Sequence, residues 1–162
     1  MKKQIIYVGF VPRLLAMTFD LALTSILFSP LMRLISKNLF FLFFQINLPA
    51  SQEYNDYFAQ NLWNHIEISD FILYIIVIFL INIILTGIYY VAFWQHFGAT
   101  IGKMIMRIKI LDEATLQLPS AKQAIIRFVG YAAGAFSILP IIFNTKHQGA
   151  HDKWAKTIVI KA

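Results

Sequence analysis

An uncharged stretch from Phe71 to Trp94 limits this chain more than any other feature. Its 24 residues hold no Asp, Glu, Lys or Arg, and as a helix they would extend about 36 Å, more than the roughly 30 Å of a bilayer's hydrocarbon core. A second stretch, Leu14 to Met32, is apolar apart from Thr18, Thr24, Ser25, Ser29 and one carboxylate, Asp20. With 59% hydrophobic residues and a mean hydropathy of +0.65, a single domain of 162 residues has too small an interior to hide both runs, so lipid must solvate them. The expected fold is an all-α integral membrane protein. It has two full transmembrane helices, a third membrane-embedded segment that re-enters or barely spans, and a small cytoplasmic β-ribbon.

The pattern predicts one membrane domain over residues 1–162. Helix one covers residues 13–35, with Pro12 suited to the first turn, where its missing N–H is not needed, and Arg13 able to reach back to headgroups. The start Met1-Lys2-Lys3 has the charge of a secretory signal, but no small-residue cleavage site follows, so helix one is read as retained. Ser36-Lys37-Asn38 then breaks the run, and Leu39 to Leu48, too short to cross as a helix, is placed at the far interface. Residues 36–70 form an extracytoplasmic loop, acidic from Pro49 to Asp70 and carrying Tyr54, Tyr57 and Trp63 as interfacial anchors. Helix two covers residues 71–94, with Ser69 as its N-cap and Tyr89, Tyr90 and Trp94 at the exit interface.

Residues 95–120 make a basic cytoplasmic segment. Within it 107–111 alternates as a half-buried strand does, and a turn at Asp112 to Thr115 leads into a return through Leu116 to Leu118. Ser120-Ala121-Lys122-Gln123 has capping-box spacing and launches an amphipathic helix with Ala121, Ala124, Ile125 and Phe128 on one side. Membrane segment three, residues 121–143, contains Gly130 and Gly134, a small-xxx-small step that lets another helix approach, and Pro140. The tail, residues 144–162, ends in a strand at 157–161 that pairs with 107–111.

Charge sets the expected orientation. All but Arg33 and Lys37 of the 14 Lys and Arg fall on one side if segment three does not cross, which places both termini in the cytoplasm. The anionic lipid of the cytoplasmic leaflet is the expected partner of the basic segments, in preference to nucleic acid. A homo-oligomer or another membrane protein is the expected protein partner.

Arg13, Met17, Asp20, Thr24 and Phe28 follow three- and four-residue steps, so one face of helix one carries its strongly polar groups. That face must meet protein, because a carboxylate at membrane depth costs about 3 kcal/mol. Arg13 and Asp20 stand about 10.5 Å apart along the axis, too far for direct pairing. Asp20 then needs a partner among Lys103, Arg107 and Arg127, or from the hydroxyl of Thr86 or the amide of Asn82, and the sequence does not rank them.

Other chemistry is thin. His147 and His151 are four apart, but Gln148-Gly149-Ala150 between them has no strong helical preference and no third ligand follows at fixed spacing, so no metal is assigned. Gly98-Ala99-Thr100-Ile101-Gly102-Lys103 is one residue short of a phosphate loop and lacks its following Ser or Thr. With no nucleophile and base at interpretable spacing, no catalytic residue and no cofactor are assigned. Cys is absent.

Arg13-Leu14-Leu15-Ala16-Met17-Thr18-Phe19-Asp20 and Gly149-Ala150-His151-Asp152 before Thr157-Ile158-Val159 resemble the RDD family of bacterial membrane proteins. The one Arg and two Asp of that name would be Arg13, Asp20 and Asp152, and Gly98-x-Thr100-x-Gly102-Lys103, Ser120 and Arg127 also fit the pattern. The resemblance implies a cytoplasmic-membrane protein of about three hydrophobic segments, for some of whose relatives cation/proton antiport has been proposed. The expected function is transport such as cation/proton exchange through a polar face around Asp20. The alternative is a non-transporting scaffold or assembly factor whose buried charges, Arg13, Asp20 and Asp152, hold helices together.

Overall fold

A computed structural model describes residues 5–45, 66–131, 134–138, 140–144 and 146–162. The elements run α1 (Phe10–Phe44), α2 (Ile68–Phe97), α3 (Ile101–Ile105), β1 (Ile108–Asp112), α4 (Ala121–Tyr131), α5 (Ala135–Ile138), α6 (Pro140–Phe143), α7 (Ala150–Trp154) and β2 (Thr157–Lys161). The chain is mostly helical with a small two-stranded sheet. Its α1 and α2, of 35 and 30 residues, are long and apolar enough to cross a membrane. In their most apolar windows only 17% and 11% of residues are buried, whereas the core helix of a soluble protein is covered by its neighbours. Ile26, Leu27, Phe79, Ile84 and Ile88 are all exposed, an apolar surface that lipid rather than water solvates.

Two compact units emerge, one of residues 1–24 with 86–162 and one of residues 25–85. In the second, Phe40 and Tyr74 form the buried centre, their rings edge-to-face at 5.6 Å, with Leu39, Phe43, Phe44, Ile66 and Ile78 packed around them. Here α1 departs from the expected break at Ser36-Lys37-Asn38 and continues to Phe44, because Ser36 and Asn38 find local partners while Lys37 stays exposed. Ser36 Oγ lies 2.6 Å from the Tyr74 hydroxyl, and Asn38 Nδ2 donates to Leu34 O at 2.9 Å. The helix also absorbs Pro30. Its ring leaves the carbonyl of Ile26 without the usual N–H, and Ser29 Oγ donates to that carbonyl at 3.1 Å instead. Helix α2 begins at Ile68, so Ser69 lies inside it rather than capping it. The rest of the acidic loop, with Tyr54, Tyr57 and Trp63, falls outside the described residues.

The first unit is built around the sheet. β1 and β2 are antiparallel, with Ile108 opposite Lys161 and Asp112 opposite Thr157, and Ile108, Ile110, Ile158 and Val159 turn inward. A partner the sequence did not suggest lies on the other side of β2: Tyr7 bridges to Ile160, and Val8 N–H donates to Val159 O at 3.1 Å. Asp112 ends β1 by accepting the N–H groups of Ala114 and Thr115, a turn the Asx side chain favours. The expected return strand does not form. Leu116 takes up a positive φ of 58° and Asp112 N–H reaches Gln117 O at 2.9 Å, so Leu116 to Leu118 closes a loop rather than a third ribbon edge.

The capping box is present: Gln123 N–H donates to Ser120 Oγ at 3.3 Å, and Ser120 N–H to Gln123 Oε1 at 2.9 Å. The helix it starts, α4, buries Ala124, Arg127 and Gly130. Ala121 and Ile125 are exposed and Phe128 is half-buried, so the inward stripe is rotated from the expected one. Residues 121–143 form three short helices among the described positions. The longest has 11 residues, about 16 Å, too short to cross alone. Gly134 sits in a turn with φ +55°, so it and Gly130 do not share a helix face. Gly130 alone brings α4 against α7, where an added Cβ would stand 2.7 Å from that of His151.

Candidate functional site

Both aspartates of interest lie in the first unit, completely buried. Asp20 is held by the turn that enters α3. Thr100 has extended backbone and does not cap its own helix. Its hydroxyl donates to Asp20 Oδ2, and Gly102 N–H donates to Asp20 Oδ1 at 2.7 Å. A carboxylate from α1 therefore serves as the cap of α3, satisfying an N–H that a helix's first turn leaves without a partner. Gly102 is required by this approach, since a Cβ there would stand 2.3 Å from Ala16 O and 2.9 Å from Asp20 Oδ1.

Asp152 gathers the other charges. Arg13 NH1 lies 2.5 Å from its Oδ2 and Arg127 NH1 lies 2.5 Å from its Oδ1. Gly149 N–H adds a hydrogen bond at 3.0 Å. The two guanidiniums are anchored further: Arg13 donates through Nε to Val8 O and through NH2 to His147 O, and Arg127 donates to Thr157 Oγ1 at 2.7 Å. One carboxylate thus joins α1, α4 and α7. Burial pushes the Asp152 carboxyl up, but Arg127 and Arg13 outweigh it and bring it down to about 2. Losing one partner of such a cluster would leave an uncompensated buried charge, at a cost of about 3–5 kcal/mol.

His151 stands beside this cluster. Its Nε2 is 3.3 Å from Asp152 Oδ1, and its Nδ1 is 2.5 Å from Ser137 Oγ. Burial depresses its imidazole to about 3, against the opposing pull of Asp152, so the ring is neutral, with Nε2–H toward the carboxylate and Nδ1 accepting from Ser137. Its ring stacks on Tyr131 at 4.4 Å. His147 lies before α7 at a positive φ of 48°, so the two histidines do not share a helix.

The sequence-predicted residues therefore separate. Arg13, Arg127 and Asp152 come together, while Asp20 and Lys103 lie within the same unit. Arg107 is exposed with a φ of 53°, and Arg127 binds Asp152 rather than Asp20. Asn82 is exposed and belongs to the other unit, and Thr86 is half-buried. Thr100 and Gly102 were not foreseen as the partners of Asp20, although the string Gly98-x-Thr100-x-Gly102-Lys103 contained both. Tyr89, Tyr90 and Trp94, expected at the exit interface, are also buried. Trp94, fully buried, lies between two cations, with Lys103 Nζ 5.2 Å and Arg127 5.3 Å from its ring.

The sequence pattern of the RDD family matches residues 7–156. An uncharacterised protein of Rickettsia prowazekii (strain Madrid E) is 37% identical over 173 aligned positions covering all of both chains. No solved structure matches. A match from Tyr7 to Lys156 takes in Arg13, Asp20, Thr100, Gly102, Arg127 and Asp152, and the chain belongs to the RDD family of membrane proteins.

Proposed function

We propose that this protein is a non-enzymatic membrane scaffold or assembly factor of the bacterial cytoplasmic membrane, in which Arg13, Asp20 and Asp152 hold elements together rather than carry an ion. The observation behind this reading is that both carboxylates are occupied from within the chain, Asp20 by Thr100 and Gly102, and Asp152 by Arg13, Arg127 and Gly149. A carboxylate that loads and releases a cation needs a coordination position open to a pathway. The basic segments face anionic lipid in the cytoplasm, and both termini share that side. A second copy or another membrane protein is the partner. Ser137 hydrogen-bonds His151 Nδ1 and also accepts the His151 N–H at 3.3 Å, but Ser137 is fully buried and no hydrogen bond continues from the imidazole to Asp152. The pair ties α5 to α7 and orients α7.

Cation/proton exchange is the rival, favoured by the burial of a carboxylate on a membrane-length helix. Both are tested with purified protein, in vesicles for proton-coupled cation flux and in detergent for thermal stability. On the scaffold reading wild type gives no flux above protein-free vesicles. Asp20→Ala, which leaves the Gly102 N–H unsatisfied, loses about 1–3 kcal/mol of stability, and Asp20→Asn loses less. Flux in wild type that Asp20→Asn abolishes at unchanged stability would establish exchange instead.

A further inference from the structure

Three cations, Arg13, Lys103 and Arg127, line one cavity of about 30 Å³ in the first unit, and no carboxylate lines it. The enclosed part has room for about two water-sized groups, and the cavity is open on one side, so a tetrahedral anion would insert two of its oxygens and leave the rest at the mouth. Two of the cations are answered by Asp152, which lies behind them. Lys103 is not: it is 3% exposed, and among the described residues its ammonium has no ion pair or hydrogen bond, only the rings of Trp94 and Tyr90 at 5.2 and 5.9 Å. Arg127 Nε, also buried, has no acceptor. Buried donors ordinarily find acceptors, and a buried ammonium finds an anion. Phe10, Leu14 and Met17 of α1 supply an apolar side to the same cavity.

We propose that this cavity binds a phosphate group, held by Lys103 and Arg127 Nε, with any attached hydrocarbon lying along the α1 side. Arg127 shares its NH1 with Asp152 and Thr157 and keeps Nε free for the ligand, while Lys103 contributes the unbalanced positive charge. The aromatic faces of Trp94 and Tyr90 fix the ammonium without consuming its three N–H donors. Burial pushes the Lys103 amine below its usual range, and a bound anion offsets that cost. The source is either a phospholipid headgroup or free phosphate. The inference is independent of how Asp20 is used.

The test is a thermal titration of the delipidated full chain in detergent with inorganic phosphate, dioctanoyl phosphatidate and, as the phosphate-free control, dioctanoylglycerol. A rise of roughly 5 °C at saturation is expected with a phosphate ligand and none with dioctanoylglycerol. A shift with inorganic phosphate assigns a free-phosphate site, and a shift with phosphatidate alone assigns a headgroup site. Lys103→Gln should lose the shift. Because that variant could fail to fold, acylation of Lys103 by acetic anhydride is followed in wild type by peptide mass mapping. The ligand should slow it several-fold relative to exposed Lys122 and Lys153. No shift with either phosphate compound, an equal shift with dioctanoylglycerol or in folded Lys103→Gln, or acylation of Lys103 unaffected by the ligand would overturn the proposal.

Discussion

His151 shows how one buried side chain sets a pH limit on the whole unit. Its imidazole is depressed from 6.5 to about 3 by burial, so on acidification the unfolded chain takes up a proton that the folded one refuses. Stability is full above pH 6.5 and falls as pH drops toward 3. Between pH 7 and 5 the loss should be about 2 kcal/mol, the slope approaching roughly 1.4 kcal/mol per pH unit at the acid end. Asp152 acts lower: its contribution is present above 3.8 and is lost as pH falls through about 2. Denaturant midpoints in detergent at pH 7, 6 and 5 read the first effect, and His151→Gln should flatten it. An unchanged slope in that variant would assign the pH dependence elsewhere. At this scale the burial of Asp20 was legible, since a lone carboxylate in an apolar run has nowhere else to go. Its partners were not, because a threonine hydroxyl and a backbone N–H from another turn leave no charge signature, whereas Lys103, Arg107 and Arg127 advertise themselves.

The elements were read well where composition decides and poorly where local bonds do. The two apolar helices and the ribbon follow from run length and alternation, the first strand expected at 107–111 and found one residue on, at 108–112, paired with 157–161. The passage of α1 through Ser36, Lys37 and Asn38 depends on Tyr74 lying beside Ser36, which no window of sequence contains. The stripe of α4 rotated because Arg127 turns inward to Asp152 and Thr157, partners that its own helix does not reveal. Among the glycines, the closest approach between elements is that of α1 and α3 at Gly102. Gly102→Ala must separate Ala16 O from the new methyl, which would otherwise stand at 2.3 Å, and so also stretches the Asp20 contact. A loss of about 3 kcal/mol is expected, from overpacking plus a weakened hydrogen bond. Urea or thermal unfolding of the variant in detergent measures it, and a loss under 1 kcal/mol would show that α3 can slide without cost.

For the molecule as a whole, membrane residence follows from α1 and α2, while the side on which the tail lies rests on charge. Residues 121–143 turn at Gly134, and β2 must share a compartment with β1 to pair with it. A tag after Ala162 should therefore be labelled by an impermeant reagent only after cells are opened. Labelling in intact cells would move the tail outside, and the ribbon with it. The sequence could place the candidate strands, but not the Ile6 to Val8 stretch beside β2, whose few residues carry no alternation long enough to notice.

Arg13 and Asp152 lie 139 positions apart. At a synthesis rate of roughly 5–20 residues per second, the guanidinium leaves the ribosome on the order of ten seconds before its counter-ion exists. Throughout that interval α1 carries a positive charge at its leading end without its counter-ion, and because cations resist crossing that end is expected to stay on the side where it was made until the last helix arrives to neutralise it. Synthesis order thus makes the same arginine first a tether during insertion and afterwards a clasp.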